Sequence, residues 1–146
     1  IKNENGISAF VEPTLLSSDA LASNVKKNSN MITLFGESVG RLSFYGQGAG
    51  KYPTGNALAQ DIIDIVNGAR SVRFENNSVS VDNGLVNRKY YIRTNSDISY
   101  PCFESEETIN GNRYILTSEI SVSYMHEIAK TITEKDPASF YAGIEE

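Results

Sequence analysis

Cysteine is scarce in this sequence, and the scarcity narrows the chemistry that the chain can carry. Cys102 is the one cysteine among 146 residues. A single thiol can neither close a disulfide within the chain nor build a cysteine-based zinc site. We therefore expect a cytoplasmic protein and predict no metal site.

Long apolar runs and an excess of positive charge are also missing. No stretch approaches the roughly 20 apolar residues that cross a bilayer, which argues against a membrane protein. The 13 basic and 18 acidic residues give a net charge of −5, which argues against the basic face that binds nucleic acid. The apolar fraction of 40% is typical of a globular protein. The length fits one domain or two small lobes.

The first residue is Ile1 rather than methionine, and the start of the chain has no signal-peptide pattern. We expect the chain to be cut from a longer protein.

A glycine-rich loop between a strand pattern and a helix pattern is the main feature that the sequence does contain. Gly46, Gly48 and Gly50 alternate along it. Three missing Cβ atoms let backbone N–H groups approach a ligand and permit positive φ, and a helix that opens next adds the positive end of its dipole. Tight packing between a strand and a helix explains the same glycines about as well. The spacing does not match the dinucleotide fingerprint, because position 51 is lysine and not glycine, and the G-K-[ST] ending of a Walker loop is missing, because Tyr52 follows Lys51.

The flanks of the loop predict a hairpin and an amphipathic helix. Residues 31–35 and 39–45 have strand patterns. Thr54 is the predicted N-cap of the helix, and Asn67-Gly68 predicts its end. Four apolar residues at helical spacing share one helix face: Leu58, Ile62, Ile65 and Val66.

The second half of the chain predicts strands around one well-signalled helix. Residues 69–88 read as a linker or an exposed hairpin, and residues 95–112 as a turn-rich connection. Residues 90–94, 113–117 and 140–144 are the predicted strands. The helix has Ser121 as its predicted N-cap and a buried stripe made of Met125, Ile128, Ala129 and Ile132.

The side chains that could take part in catalysis lack the partner residues that a catalytic site needs. His126 has no patterned nucleophile nearby, so we expect a solvated helix position. Cys102 has no visible activating neighbour and is expected to be an ordinary thiol. The acidic residues Glu104, Glu106 and Glu107 read as a solvated face. We predict no catalytic residue in this chain.

Read with its flanks, the glycine loop resembles the homoserine dehydrogenase family. The matching residues lie between about positions 11 and 66: Pro13-Thr14, Leu21-Ala22, Val25, Asn30, Ile32, Val39-Gly40, Leu42, Phe44-Tyr45-Gly46, Gly48-Ala49-Gly50, Pro53-Thr54 and Asp61-Ile62. The chain departs from the family pattern at Gly55-Asn56 and at Leu58, which affects helix packing rather than the family assignment.

The resemblance implies an enzyme that interconverts aspartate semialdehyde and homoserine with NADP or NAD, and that forms a dimer. It implies that Gly50 approaches the cofactor, with Gly48 a weaker candidate. The family's nucleotide-binding domain and catalytic lysine are not found in this sequence, so we expect the fragment alone to be inactive. Most of the substrate contacts would come from residues upstream of this chain.

The expected fold class is α/β, or α+β, with a mixed or antiparallel sheet and helices packed on one face. Residues 1–68 would be the C-terminal part of the dimerisation and catalytic region, residues 69–88 a linker or exposed hairpin, and residues 89–146 a shortened ACT-like lobe of strand, strand, helix and strand. The usual ligand-loop signature of ACT domains is missing. A non-enzymatic module for amino-acid sensing or for oligomerisation remains the alternative.

Overall fold

The computed structural model describes residues 1–70 and 79–145. These residues divide into two units. The hairpin–helix unit comprises residues 18–70, and the sheet unit comprises residues 1–17 together with residues 79–145.

Strands β1 to β11 and helices α1 and α2 follow one another along the described chain. Their bounds, in chain order, are β1 Lys2–Asn3, β2 Gly6–Ile7, β3 Thr14–Leu16, β4 Ser29–Gly36, β5 Gly40–Gln47, α1 Lys51–Val66, β6 Asn87–Arg88, β7 Tyr90–Thr94, β8 Phe103–Ile109, β9 Asn112–Thr117, β10 Ile120–Ser121, α2 Val122–Lys135 and β11 Phe140–Glu145. Short 3₁₀ turns occupy Leu21–Asn24 and Asn83–Leu85.

A five-stranded sheet in the order β3-β11-β7-β9-β8 forms the centre of the sheet unit. Strand β3 runs parallel to β11, and the remaining neighbours are antiparallel. The predicted mixed sheet is therefore confirmed.

Helix α2 packs on one face of this sheet and provides much of the core. The Ser121 side chain accepts a hydrogen bond from the Tyr124 N–H, which confirms the predicted N-cap. The predicted stripe is buried against alternate residues of the central strands, since strand side chains on one face recur at every second position. This core consists of Tyr90, Ile92, Ile115, Met125, Ile128, Ala129 and Ile132, with Ile98, Cys102 and Ile120 at its edges.

One strand of the sheet was not predicted. Residues 95–112 were expected to be a turn-rich connection, but they contain β8, which forms a hairpin with β9. The turn is Asn110-Gly111, with φ of 51° and 79°, the pair that a two-residue hairpin turn favours. Acidic and polar residues dominate β8 and weaken its strand pattern. The Asn110-Gly111 pair is the sequence feature that indicates a hairpin here.

The hairpin–helix unit contains the predicted hairpin, β4 with β5, in register from Ser29↔Gln47 to Gly36↔Gly40. Helix α1 follows. It begins at Lys51 with Gly50 as N-cap, so the prediction of Thr54 as N-cap was wrong. Pro53 is tolerated inside the first turn because it has no N–H to leave unpaired.

Helix α1 ends at Val66, next to the predicted stop at Asn67-Gly68. Gly68 has a φ of 81°, and its N–H donates to the Ile65 carbonyl. The Ala69 N–H donates to the Asp64 carbonyl. These two bonds form a Schellman motif, which satisfies carbonyls that a helix end otherwise leaves open.

The predicted linker of residues 69–88 is described only in part, because residues 71–78 lie outside the described ranges. After that gap, the Asp82 side chain accepts from the Gly84 N–H and caps the 3₁₀ turn before β6. The limits of the two units also differ from the expected domains, because β3 pairs with β11. The division into residues 1–68, 69–88 and 89–146 stays a prediction.

Candidate functional site

The candidate site is the glycine loop between β5 and α1. The structure gives a different account of why glycine stands at each of the three positions. Gly50 has φ 125° and ψ 160°, a region that only glycine adopts without strain. A Cβ at Gly48 would overlap the Asn30 side-chain amide, whereas a Cβ at Gly46 would meet nothing within 4 Å. Conformation therefore requires glycine at position 50, whereas a side chain at position 48 would have to displace the Asn30 side chain.

The loop is tied to the turn that precedes β4. The Gly48 N–H donates to the Asn28 carbonyl at 3.1 Å. The Asn28 side-chain amide donates to the Ala49 carbonyl at 2.8 Å. At the start of the helix, the Thr54 N–H donates to the Gly50 carbonyl at 3.1 Å. These bonds hold the strand-to-helix turn in one conformation.

The electrostatics at the start of α1 favour an anionic group. No acidic side chain occupies the first turn, and Lys51 stands at its first position, its ammonium 5.9 Å from the centre of the Tyr52 ring. The positive end of the helix dipole lies at the same place. The arrangement suits a phosphate-bearing ligand and supplies no acid, base or nucleophile.

The carboxylates of α1 do not assemble a cation site. Asp64 accepts a hydrogen bond from the Gln60 side chain at 2.8 Å. Over residues 1–70 and 79–145, no group of three or more His, Cys, Asp or Glu side chains is placed to hold a metal ion. The same ranges contain no helix with both the length and the hydropathy needed to cross a membrane.

A buried charged cluster in the sheet unit was missed by the sequence analysis. The Glu12 side chain is 1% exposed and pairs with the Arg88 guanidinium at 2.7 Å. The Tyr90 hydroxyl donates to the same carboxylate at 3.2 Å, and His126 Nε2 lies 3.6 Å from it. A Cβ at Gly143 would come within 2.8 Å of both Glu12 and Arg88, so the strand backbone packs closely on the pair.

Burial and the Glu12 charge keep the nearby phenols protonated. Burial is the main cause of the raised pKa of Tyr90, and the negative charge of Glu12 adds to it. The same two causes raise the pKa of Tyr141. Tyr90 therefore remains a hydrogen-bond donor to Glu12 at neutral pH, and the cluster is a paired, stable arrangement rather than a poised acid or base.

Two further sequence predictions can be compared with the structure. His126 lies on α2 with its side chain partly exposed, as expected of a solvated helix position, and its ring also lies 6.4 Å from the Tyr141 ring and beside Glu12. Cys102 is buried, and burial raises the pKa of its thiol. A raised pKa disfavours the thiolate that a nucleophile needs, which agrees with an ordinary thiol.

The fold and the site together define the class: an α/β protein with a strand, a glycine loop and a helix N-terminus arranged around an anion-favouring position. Residues 1–63 match the family model described as homoserine dehydrogenase. Over this segment, the chain is similar to the homoserine dehydrogenase family.

Individual relatives agree with the family match. The chain is 38% identical over 65 residues to homoserine dehydrogenase of Pseudomonas aeruginosa, covering 44% of this chain and 15% of that protein. It is 40% identical over 65 residues to the NAD(+)-dependent homoserine dehydrogenase of Pseudomonas canavaninivorans, covering 44% and 18%. The matched segment is thus a small part of either relative.

A solved structure extends the likeness of fold to nearly the whole chain. The crystal structure of a homoserine dehydrogenase from Thiobacillus denitrificans superposes with a TM-score of 0.63 at 22% identity, covering 99% of this chain and 40% of that one. The α/β fold with a mixed sheet and two helices is therefore one that a homoserine dehydrogenase contains.

Proposed function

We propose that this chain is the C-terminal part of a homoserine dehydrogenase, an oxidoreductase that interconverts L-aspartate 4-semialdehyde and L-homoserine with NAD(P)H. The observation that carries the proposal is the loop from Gly46 to Gly50, because its residues match the family and its backbone takes a conformation that needs glycine. The enzyme would act in the cytoplasm, in threonine, methionine and isoleucine biosynthesis, as a homodimer.

The role of this chain is to form one wall of the cofactor site. Gly50 presents backbone without a side chain, and Lys51 and the start of α1 add positive potential, which fits a dinucleotide that carries phosphates. The cofactor, when bound, supplies the hydride. The loop's part is to bind and orient the cofactor, whereas proton transfer and most substrate contacts belong to residues upstream of this chain.

A nicotinamide cofactor is supported by the family, and the name of the Pseudomonas canavaninivorans relative favours NAD for that protein. The residues that select between NAD and NADP through the 2′-phosphate follow the second strand of a nucleotide-binding domain. The ACT-like lobe of residues 89–146 is likewise a proposal. The antiparallel order β11-β7-β9-β8 with α2 on one face supports it.

The test is an assay of the protein expressed from its complete gene. Oxidation of NADPH or NADH with aspartate semialdehyde is the expected result, and a well-folded protein without this activity would contradict the proposal. Gly50→Ala is expected to raise the KM for the cofactor, because alanine is strained at φ 125°. Gly55→Ala is the matched control: its Cβ meets nothing within 4 Å, and alanine suits the interior of a helix.

A further inference from the structure

Asn28 hydrogen-bonds Gly48 and Ala49 of the glycine loop and lies beside Gly50. Its carbonyl accepts from the Gly48 N–H at 3.1 Å, and its side-chain amide donates to the Ala49 carbonyl at 2.8 Å. The same amide nitrogen would lie 3.4 Å from a Cβ at Gly50. One residue from the start of the hairpin therefore borders the whole segment of residues 48–50.

The backbone around Asn28 is shaped to place it there. The Ser29 N–H donates to the Lys26 carbonyl at 3.2 Å and closes a turn, and Lys27 inside that turn has a φ of 59°. A left-handed conformation costs a residue with a side chain about 1 kcal/mol or more. The strain is stored in the turn that directs Asn28 at the loop, which points to a positional requirement rather than a random surface contact.

The glycine loop needs such support because its backbone is free to adopt several conformations. Glycine samples many backbone states, so a loop with glycine at positions 46, 48 and 50 is flexible unless neighbouring groups restrict it. A loop that must present one conformation to a ligand binds it more tightly when that conformation is already populated.

We propose that Asn28 is a positioning residue: its side-chain amide, through the Ala49 carbonyl, holds the glycine loop in the conformation that receives the cofactor. The inference rests on the proposed function for the identity of the ligand. The restraint of the loop by Asn28 is independent of the proposed function. Asn28 does not itself touch substrate or cofactor, so its effect falls on cofactor binding and not on the chemical step.

The test compares Asn28→Ala with Asn24→Ala in the protein expressed from its complete gene. Alanine at position 28 removes the bond to the Ala49 carbonyl and leaves the main-chain bond to Gly48 in place. Asn24 is an exposed asparagine of the same unit, and its side-chain amide donates to the neighbouring Ser23 hydroxyl at 3.5 Å. The Asn28 variant is expected to raise the KM for the cofactor by about two- to fivefold, the effect of one exposed hydrogen bond, while kcat and the KM for aspartate semialdehyde stay unchanged.

Two outcomes overturn the proposal: an Asn28→Ala enzyme indistinguishable from Asn24→Ala, or a fall in kcat with an unchanged KM for the cofactor. Hydrogen exchange at the Gly48 amide separates this inference from the proposed function, because it needs no activity. Faster exchange in Asn28→Ala than in Asn24→Ala supports the restraint, and equal exchange refutes it. An unaltered protein that oxidises neither NADPH nor NADH would contradict the proposed function instead.

Discussion

The buried pair of Glu12 and Arg88 is a residue-scale feature of the sheet unit whose contribution to stability can be measured. Arg88→Met would leave a carboxylate that is 1% exposed without its cation. Removing one partner of a fully buried pair costs about 3–5 kcal/mol, and the remaining Tyr90 bond together with the partial exposure of Arg88 lowers our expectation to about 2–3 kcal/mol. The measurement is the free energy of unfolding in denaturant.

Lys89→Met is the matched control, because Lys89 is the exposed neighbour of Arg88. It should change stability by less than about 0.5 kcal/mol, as surface substitutions usually do. Combining Arg88→Met with Glu12→Gln should recover part of the loss, because the unpaired charge is then removed. Equal stabilities of Arg88→Met and Lys89→Met would show that the pair contributes nothing.

Asp136 gives a prediction about pH. Its carboxylate accepts from the Asn95 N–H at 2.8 Å, the Thr94 hydroxyl and the Ala138 N–H, and these bonds, led by that of Asn95, lower its pKa. A lowered pKa contributes stability above the unfolded-state value of about 4, and that stability is lost as the pH falls through the folded-state value. Asp136→Asn should therefore lower Tm at pH 7, with a gap to the unaltered protein that narrows below about pH 4. A gap that is constant between pH 7 and pH 3 would contradict this account.

At the scale of elements, substitutions in the β8–β9 turn test the effect of backbone conformation on stability without a change in side-chain packing. A Cβ at Gly111 would meet nothing within 4 Å, so its φ of 79° is what an alanine would have to bear. Gly111→Ala should cost about 1 kcal/mol of unfolding free energy, whereas Asn110→Gly, at a φ of 51°, should change it by less than about 0.5 kcal/mol. Chemical denaturation measures the unfolding free energy of both variants. Equal values for Gly111→Ala and Asn110→Gly would show that the conformation of the turn does not contribute to the stability of the hairpin.

Most elements with a local signal were predicted, apart from β8 and the N-cap of α1, whereas features defined by distant contacts were not. The Ser121 cap, the α2 stripe and the Asn67-Gly68 stop are patterns within a few residues, and each was confirmed. The partners Glu12 and Arg88 are 76 residues apart, and β3 meets β11 across most of the chain. Sequence periodicity carries no information about such pairs, so the cluster and the limits of the units came only from the fold.

At the scale of the whole molecule, the apolar face of α1 is one of the exposed apolar surfaces that a partner could cover. Leu58, Ile62, Ile65 and Val66 are 62%, 55%, 72% and 80% exposed. A continuous exposed apolar stripe marks a contact with another surface. The proposed homodimer therefore gives a prediction: the sedimentation coefficient of the 146-residue chain should rise with concentration.

A charged residue on the apolar face of α1 should abolish the rise of the sedimentation coefficient with concentration. Ile62→Glu places a carboxylate in the centre of the apolar face, and a charge buried in an interface without a partner opposes association. Asn56→Glu adds the same charge on the other side of α1 and near its start, where the helix dipole accepts it, so this control should sediment as the unaltered chain does. A monomer at every concentration, or the same association in both variants, would show that this face of α1 does not join two copies.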